Sequence, residues 1–327
     1  MKVLILAECD QQKVLPISYE LLTRAKALVP EEEIGALLLG AGLPRQEYEK
    51  FSSAGVARLI VYESEQLLRF RAEPYSAILQ ACVAEFKPEI VLGGATSCGR
   101  SWLPYAAMKM HAGLTADCTE LGIEEKTGLL LQTRPAIGGN IMATIKTPKH
   151  RPQMATIRPR STAAAEPGSW SGGQIELRQP PPAWLESSLQ ELGFEAVDES
   201  RELSAARKVV VVGRGLKRPE NLPMVEELAG LLGAALGATR EVVDRGWLPY
   251  SCQIGLSGRT ITPELYLGLG VSGAIQHLAG MQTAKRIVAV NSDPEAQLFS
   301  LADLSLVGNM QEVLPVLISE LKRGGQI

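Results

Sequence analysis

Aromatic residues are scarce, at 5% of a 327-residue chain, too few to build a stacking platform for single-stranded nucleic acid. Histidine is scarcer still, with His111, His150 and His277 as the whole complement. The five cysteines (Cys9, Cys82, Cys98, Cys118, Cys252) lie far apart and form no C-x-x-C pair, so no zinc site of the Cys/His kind is expected. Scattered single thiols point instead to a reducing, cytoplasmic compartment. Neither sign of charge dominates: 33 Lys and Arg stand against 36 Asp and Glu, for a net charge of −3. Without a basic footprint, nucleic acid is not expected as a partner. No apolar run approaches the roughly 18 residues of a membrane span, which argues against membrane insertion. The N-terminus, Met1 to Glu8, meets an acid too early for a signal peptide and reads as a first buried strand.

What is present is a soluble globular composition, 46% hydrophobic and 21% charged, in a chain about two domains long. The first half alternates strands and helices. Strands are expected at Lys2–Ala7, Ile34–Leu39, Arg58–Tyr62 and Glu89–Leu92, with helices at Ser18–Leu28, Arg45–Ser53 and Tyr75–Glu85. Strands that are nearly all apolar and alternate with helices imply a parallel sheet covered on both faces. Gly93 to Arg100 has two readings, a phosphate loop at a strand end or a tight turn with Ser101 or a neighbour capping the next helix. It lacks the lysine and Ser/Thr ending of a P-loop.

From Leu129 to Pro159 the pattern changes to short strands, Leu129–Pro135, Asn140–Lys146 and Gln153–Arg158, expected as an antiparallel extension of the first domain. Ser161–Gly173 reads as a loop, and Gln179-Pro180-Pro181-Pro182 as a stiff extended segment. The charged stretch Glu195–Arg207 is the best linker, which divides the chain into domains at 1–200 and 201–327. The expected fold is α/β, two domains with a mostly parallel doubly wound sheet each. The second is Rossmann-like.

In the second half Lys208–Val212 is so rich in β-branched residues that it must be a central buried strand. Polar, glycine-bearing turns then recur after nearly every strand: Gly213–Gly215, Thr239-Arg240, Leu256-Ser257-Gly258, Gly270–His277 and Asn291–Asp293. They are expected to edge one crevice suited to an extended dinucleotide. Gly268-x-Gly270-x-x-Gly273 even fits the dinucleotide fingerprint, with Asp293 as an acid 20 residues on. That fit leaves an NAD-dependent dehydrogenase open as a rival reading. No acid–base pair stands nearby for it, and no Ser–His nucleophile pair is evident.

The longer stretches Leu265-Tyr266, Val271 to Met281 and Ile287 to Ala296 closely resemble the signature of electron-transfer flavoprotein alpha subunits. In the first domain, Leu114 to Thr119 and Gln132 to Asn140 resemble bacterial members of that family. The resemblance implies FAD held chiefly by the second domain, with AMP or a second FAD in a partner beta subunit. It implies electron transport from donors such as the acyl-CoA dehydrogenases of fatty acid β-oxidation to a quinone oxidoreductase or another acceptor. The first domain would form the partner-subunit interface. The chain would be an electron carrier rather than an enzyme with its own turnover. A variant of the family bifurcates electrons from NADH, and one subunit does not decide between the two.

Residue by residue, the resemblance puts Arg240 against the isoalloxazine ring, where a fixed cation favours the reduced form. It puts the Ser257 hydroxyl near flavin N5, and His277 at the pyrimidine end as a donor or a cation. Ser272 with the N–H groups of Gly273 and Ala274 would meet the pyrophosphate, Gln276 the ribityl chain, and Asn291 the adenosine half. Gly215, Thr239, Gly258, Gly270, Ile275 and Asn309 complete the expected contacts. Two departures stand out. Gln297 replaces a usual proline, which alters a turn, and Asn309 replaces an acid that contacts adenosine.

Overall fold

A computed structural model describes the chain except at positions 11, 137–140, 169–172, 194–202, 204–205 and 325–327. Two compact units are present, Met1–Gly193 and Phe194–Ile327. The expected division at 200, most of the charged stretch up to 207, and the end of the Gln132–Asn140 motif lie outside the described residues.

The first unit runs β1 (Val3–Ala7), α1 (Pro16–Lys26), β2 (Ile34–Gly40), α2 (Arg45–Ser53), β3 (Arg58–Glu63), α3 (Ala72–Phe86), β4 (Ile90–Gly94), α4 (Ser97–Lys109), β5 (Leu114–Cys118), β6 (Glu120–Ile123), β7 (Leu130–Pro135), β8 (Met142–Ile145), β9 (Gln153–Ile157) and β10 (Gln174–Arg178). Seven of the strands form one parallel sheet in the order β10-β3-β2-β1-β4-β9-β5. Side chains of successive strand residues point to opposite faces, and here both faces are buried. Val3, Ile5, Ala36 and Leu38 pack with Leu21, Leu22 and Phe51 from α1 and α2. Leu4, Leu6, Leu37 and Leu39 pack with Ile78, Leu79 and Trp102 from α3 and α4. That two-sided burial is why these strands read as continuous apolar runs.

One expectation needs correcting, and two details are added to the rest. An antiparallel sheet exists, but its strands are β6-β7-β8. Gln153–Ile157 instead lies inside the parallel sheet between β4 and β5, because all five of its residues are buried and only a two-faced sheet can bury them. The Gln174–Arg178 segment adds an edge strand beside β3. In the Gly93–Arg100 turn the cap is Thr96, whose Oγ1 accepts from the Gly99 N–H at 2.9 Å; Ser101 only donates back to the Ser97 carbonyl.

The order β3-β2-β1-β4 places the sheet's switch point between β1 and β4, the position where open α/β sheets take ligands. A carboxyl of the chain fills it. Glu8 Oε1 accepts from the Thr96 hydroxyl at 2.7 Å, and a Cβ added at Gly94 would come within 2.9 Å of it. Burial raises the Glu8 carboxyl from 4.5 to about 7, the Thr96 hydrogen bond opposing it. The turn is a capped connection with an acid in the anion position.

The second unit runs β11 (Lys208–Val212), α5 (Leu222–Leu232), β12 (Ala235–Ala238), α6 (Arg240–Asp244), β13 (Leu265–Leu269), α7 (Ile275–Leu278), β14 (Ile287–Asn291), β15 (Leu304–Val307) and α8 (Met310–Gly324). Its parallel sheet is ordered β12-β11-β13-β14-β15. Lys208–Val212 is central, as its sequence requires, with all four valines buried. Val210, Val212, Leu267 and Leu269 face α5 and α8 through Leu228, Leu314 and Ile318. Val209, Val211 and Tyr266 face the other way, onto Ile254, Met281 and Leu298.

Because the folded Glu8 carboxyl titrates near 7 and the unfolded one near 4.5, the folded state holds the extra proton between those values. Stability is therefore lost as pH rises through that window. Replacing Glu8→Gln is expected to remove a slope worth up to about 3 kcal/mol between pH 4.5 and 7, measured by denaturant unfolding of the first unit. An unchanged slope would show that Glu8 ionises freely.

Candidate functional site

The strand order of the second unit changes direction between β11 and β13, so the loops leaving those two strands diverge and open a crevice at their carboxyl ends. The loops first touch, backbone on backbone. Gly213 N–H donates to the Leu269 carbonyl at 2.9 Å and Gly215 N–H to the Gly270 carbonyl at 3.0 Å. A Cβ on Gly213 would sit 2.3 Å from the Gly270 oxygen, and one on Gly215 would sit 2.5 Å from the Gly270 Cα. Gly270 and Gly273 both have positive φ, 62° and 83°, the left-handed region that glycine enters without penalty. Beyond this contact lies a cleft of about 850 Å³, in the upper part of the range for ligand pockets, roughly 300–1,000 Å³.

Eleven of the fourteen residues expected from the sequence line this cleft: Gly215, Thr239, Arg240, Ser257, Gly270, Ser272, Gly273, Ala274, Gln276, His277 and Asn291. Gly258, Ile275 and Asn309 are not among its lining. Gly258 closes a turn in which a Cβ would meet the Gln253 carbonyl at 2.4 Å. Ile275 turns its side chain to solvent. Asn309 starts α8, its Oδ1 accepting from the Gln311 N–H at 3.3 Å.

Arg214 lines the cleft from within the expected Gly213–Gly215 turn, whereas Lys217, Asp244, Gln253 and Gly255 line it without having been expected there. The signal for Gly255 was the glycine itself, two residues before Ser257; its φ is +143°, and a Cβ there would meet the Gln276 carbonyl at 2.7 Å. Gln253 is buried and donates through Nε2 to Ser257 Oγ at 3.0 Å. The Ser257 hydroxyl therefore accepts from the protein and keeps its own proton to give. Tyr250 donates its hydroxyl to the Ser257 carbonyl, so both the side chain and the main chain of Ser257 are held.

The charges are arranged in pairs. Arg240 uses Nε to reach Asp244 Oδ2 at 3.2 Å, one turn along α6, and Arg214 lies 3.8 Å from Glu241. Both arginines are well exposed, so water screens these pairs. At the 270–276 turn, by contrast, no acceptor among the described residues meets the N–H groups of Ser272, Gly273 or Ala274. A run of free N–H groups around positive-φ glycines is a concave anion site. The same residues thus offer what a diphosphate needs, beside a cleft large enough for the rest of a dinucleotide. Asn291 clips this turn from below, donating to the Val271 carbonyl at 2.8 Å and accepting from the Asp293 N–H at 3.0 Å.

Of the two roles expected for His277, donor or cation, the second does not suit its surroundings. It is buried; Nδ1 lies 3.0 Å from the Ile254 carbonyl and Nε2 lies 2.8 Å from the Tyr266 hydroxyl. Burial lowers it from 6.5 to about 4, the Ile254 bond opposing, so the ring is neutral at physiological pH. A carbonyl only accepts, so Nδ1 carries the proton and Nε2 accepts from tyrosine. Gly268, the first glycine of the fingerprint, lies outside the cleft lining. A Cβ there would stand 2.9 Å from Tyr266 Cε1 and 2.7 Å from Leu298 Cδ2, so it makes room for that tyrosine.

Among the described residues no group of His, Cys, Asp or Glu is placed to hold a metal ion, and no helix is long and apolar enough to cross a membrane. A family model described as the electron transfer flavoprotein domain matches residues 3–183, and one described as the electron transfer flavoprotein FAD-binding domain matches residues 202–282. The chain is 38% identical to the electron transfer flavoprotein subunit alpha of Thermoanaerobacterium thermosaccharolyticum, over 98% of this chain and 97% of the relative. It is also 38% identical to the lactate dehydrogenase (NAD(+),ferredoxin) subunit LctC of Acetobacterium woodii, over 95% of this chain and 74% of that protein. Protein FixB of Azotobacter vinelandii is likewise 38% identical, over 98% and 91%.

Since the folded His277 binds its proton only near pH 4 and the unfolded one near 6.5, the unfolded state holds more protons between those values. Stability contributed by burying the neutral ring is lost as pH falls through that window. Replacing His277→Gln is expected to flatten an acid-side slope worth up to about 3 kcal/mol, read by denaturant unfolding of the second unit at pH 7 and pH 4.5. A slope that persists in the variant would place the acid sensitivity elsewhere.

Proposed function

The chain belongs to the electron-transfer flavoprotein alpha-subunit family, and from that premise we propose that the cleft between β11 and β13 holds FAD and carries electrons for a heterodimer. The observation that carries this reading is the row of free N–H groups at Ser272, Gly273 and Ala274 in a cleft of dinucleotide size. Those groups would hold the pyrophosphate without spending a side-chain charge on it. Gln276 would lie along the ribityl chain, and Asn291 would keep the turn in shape beside the adenosine half. At the other end Ser257, held by Gln253, would give its hydroxyl proton to the ring. Arg240 would supply positive charge there, moderated by Asp244. Bound FAD supplies the reversible uptake of electrons; the chain supplies position and field.

The relatives' names support a beta subunit as partner. The first unit is proposed to form that interface, with AMP or a second FAD in the beta subunit. The filled switch point at Glu8 supports a first unit that binds no nucleotide of its own. Acyl-CoA dehydrogenase-type flavoenzymes are proposed as donors, a quinone oxidoreductase or similar protein as acceptor, and the cytoplasm as the location. A second reading, a bifurcating complex that takes electrons from NADH, is favoured by the 38% identity with LctC, whose name includes both NAD(+) and ferredoxin. NADH-driven reduction of a low-potential acceptor by the complex would select it.

The complex co-produced with its partner is expected to be yellow and to contain FAD. Replacing Arg240→Ala is expected to lower the flavin potential by roughly 60 mV, one tenfold factor for a one-electron couple, or to empty the site. Spectroelectrochemistry measures the first outcome and flavin content the second; a variant unchanged in both would remove Arg240 from the site.

A further inference from the structure

The buried histidine of the cleft engages both of its ring nitrogens within the chain. His277 joins three segments. From α7 it reaches the Ile254 carbonyl on the segment that carries Ser257, and it receives the hydroxyl of Tyr266 from β13 beneath both. Tyr266 is fully buried, and its ring lies where a side chain at Gly268 would have stood. The segment and the helix are linked a second time by the Leu256 N–H, which donates to the Gln276 carbonyl at 2.8 Å. Ile254 is anchored in turn, its N–H donating to the Ala238 carbonyl at 3.0 Å at the end of β12. The wall that offers Ser257 and the wall that offers Gln276 are therefore fastened to one another, with a single tyrosine behind the fastening.

We propose that Tyr266 is a positioning residue for the FAD cleft, donating to His277 Nε2 so that the Nδ1 proton is held on the Ile254 carbonyl and the two walls stay in register. The inference rests on the FAD reading of the cleft only for its ligand; the hydrogen-bonded tie is a property of the chain itself. Its logic is one of proton inventory. The imidazole carries one proton when neutral. The Ile254 carbonyl accepts it, so Nε2 needs a donor, and in a buried site an unmet acceptor is costly. Among the described residues, Tyr266 is the titratable side chain hydrogen-bonded to the ring. Arg259, on the neighbouring loop, directs its Nε to the Ser251 carbonyl at 3.0 Å. Removing the tyrosine hydroxyl leaves Nε2 bare, so the neutral ring loses a hydrogen bond and the protonated form is less disfavoured than before.

The test is nitrogen-correlated NMR of the full chain, in which three histidines give a simple imidazole spectrum. Wild type is expected to show His277 as the Nδ1–H form with no titration above about pH 5. A wild-type His277 in the Nε2–H form, or titrating near 6.5, overturns the proposal without any variant. Tyr266→Phe is expected to shift His277 titration upward from its wild-type position, because the neutral ring loses its donor while burial persists, and, in the complex with the partner subunit, to raise the FAD dissociation constant about tenfold, the loss of one buried hydrogen bond. The same variant should give the flavin potential a pH-dependent step that wild type lacks. Loss of affinity with an unchanged His277 titration marks a packing role and also overturns the proposal. If wild type binds no FAD, the reading of the cleft fails, while the tautomer measurement still decides the tie.

Discussion

Everything in the second unit depends on two loops touching through bare backbone. Gly213 and Gly215 lie on Gly270 so closely that any Cβ would collide with main-chain atoms, and main chain cannot swing aside as a side chain can. The contact occurs where the sheet order reverses, between two strands whose loops must part. Gathering the first turns of the loops against each other leaves the following residues, Ser272 to Ala274 and Thr239 to Asp244, to open around a common space. Gly270 and Gly273 then turn their successors' N–H groups free of the sheet. The anion site is a consequence of that crossing.

The same architecture is used twice in the chain with opposite outcomes. In the first unit the switch point between β1 and β4 also ends in glycines, at Gly93 and Gly94, and also leads into a helix. There the Gly99 N–H is spent on a threonine cap, and a carboxyl occupies the space. An acid in that place repels a phosphate. Strand order alone therefore marks where a ligand would go, and the side chains at the strand ends decide whether it can.

Much of this was legible in the sequence, for identifiable reasons. Strands buried on both faces, such as Ile34–Gly40 and Lys208–Val212, announce themselves as unbroken apolar runs. Gln153–Ile157 is as deeply buried, yet two polar residues and its position after a hairpin disguised it as part of the antiparallel extension. Strand pairing is a long-range property that local pattern does not carry. The cleft was legible where chemistry sits in consecutive residues, as in Gly270–His277. It was not where a residue enters through packing, as with Gln253 behind Ser257, or Gly268, whose place in a fingerprint hid its service to Tyr266.

That last reassignment changes how the cleft handles charge. Read from the sequence, Arg240 is a cation of the cleft and His277 a donor or a second cation. In the folded chain the histidine is a neutral tie, and the arginine is exposed and paired with Asp244. Arg214 stands opposite Glu241 in the same way. What remains unscreened and fixed is a set of dipoles, the N–H groups after Gly270 and the Ser257 hydroxyl. Dipoles held by the backbone keep their strength when salt or pH varies, whereas exposed ion pairs do not. A site that must hold a doubly charged diphosphate while electrons come and go is better served by such dipoles, with the arginines on the rim left to trim the potential.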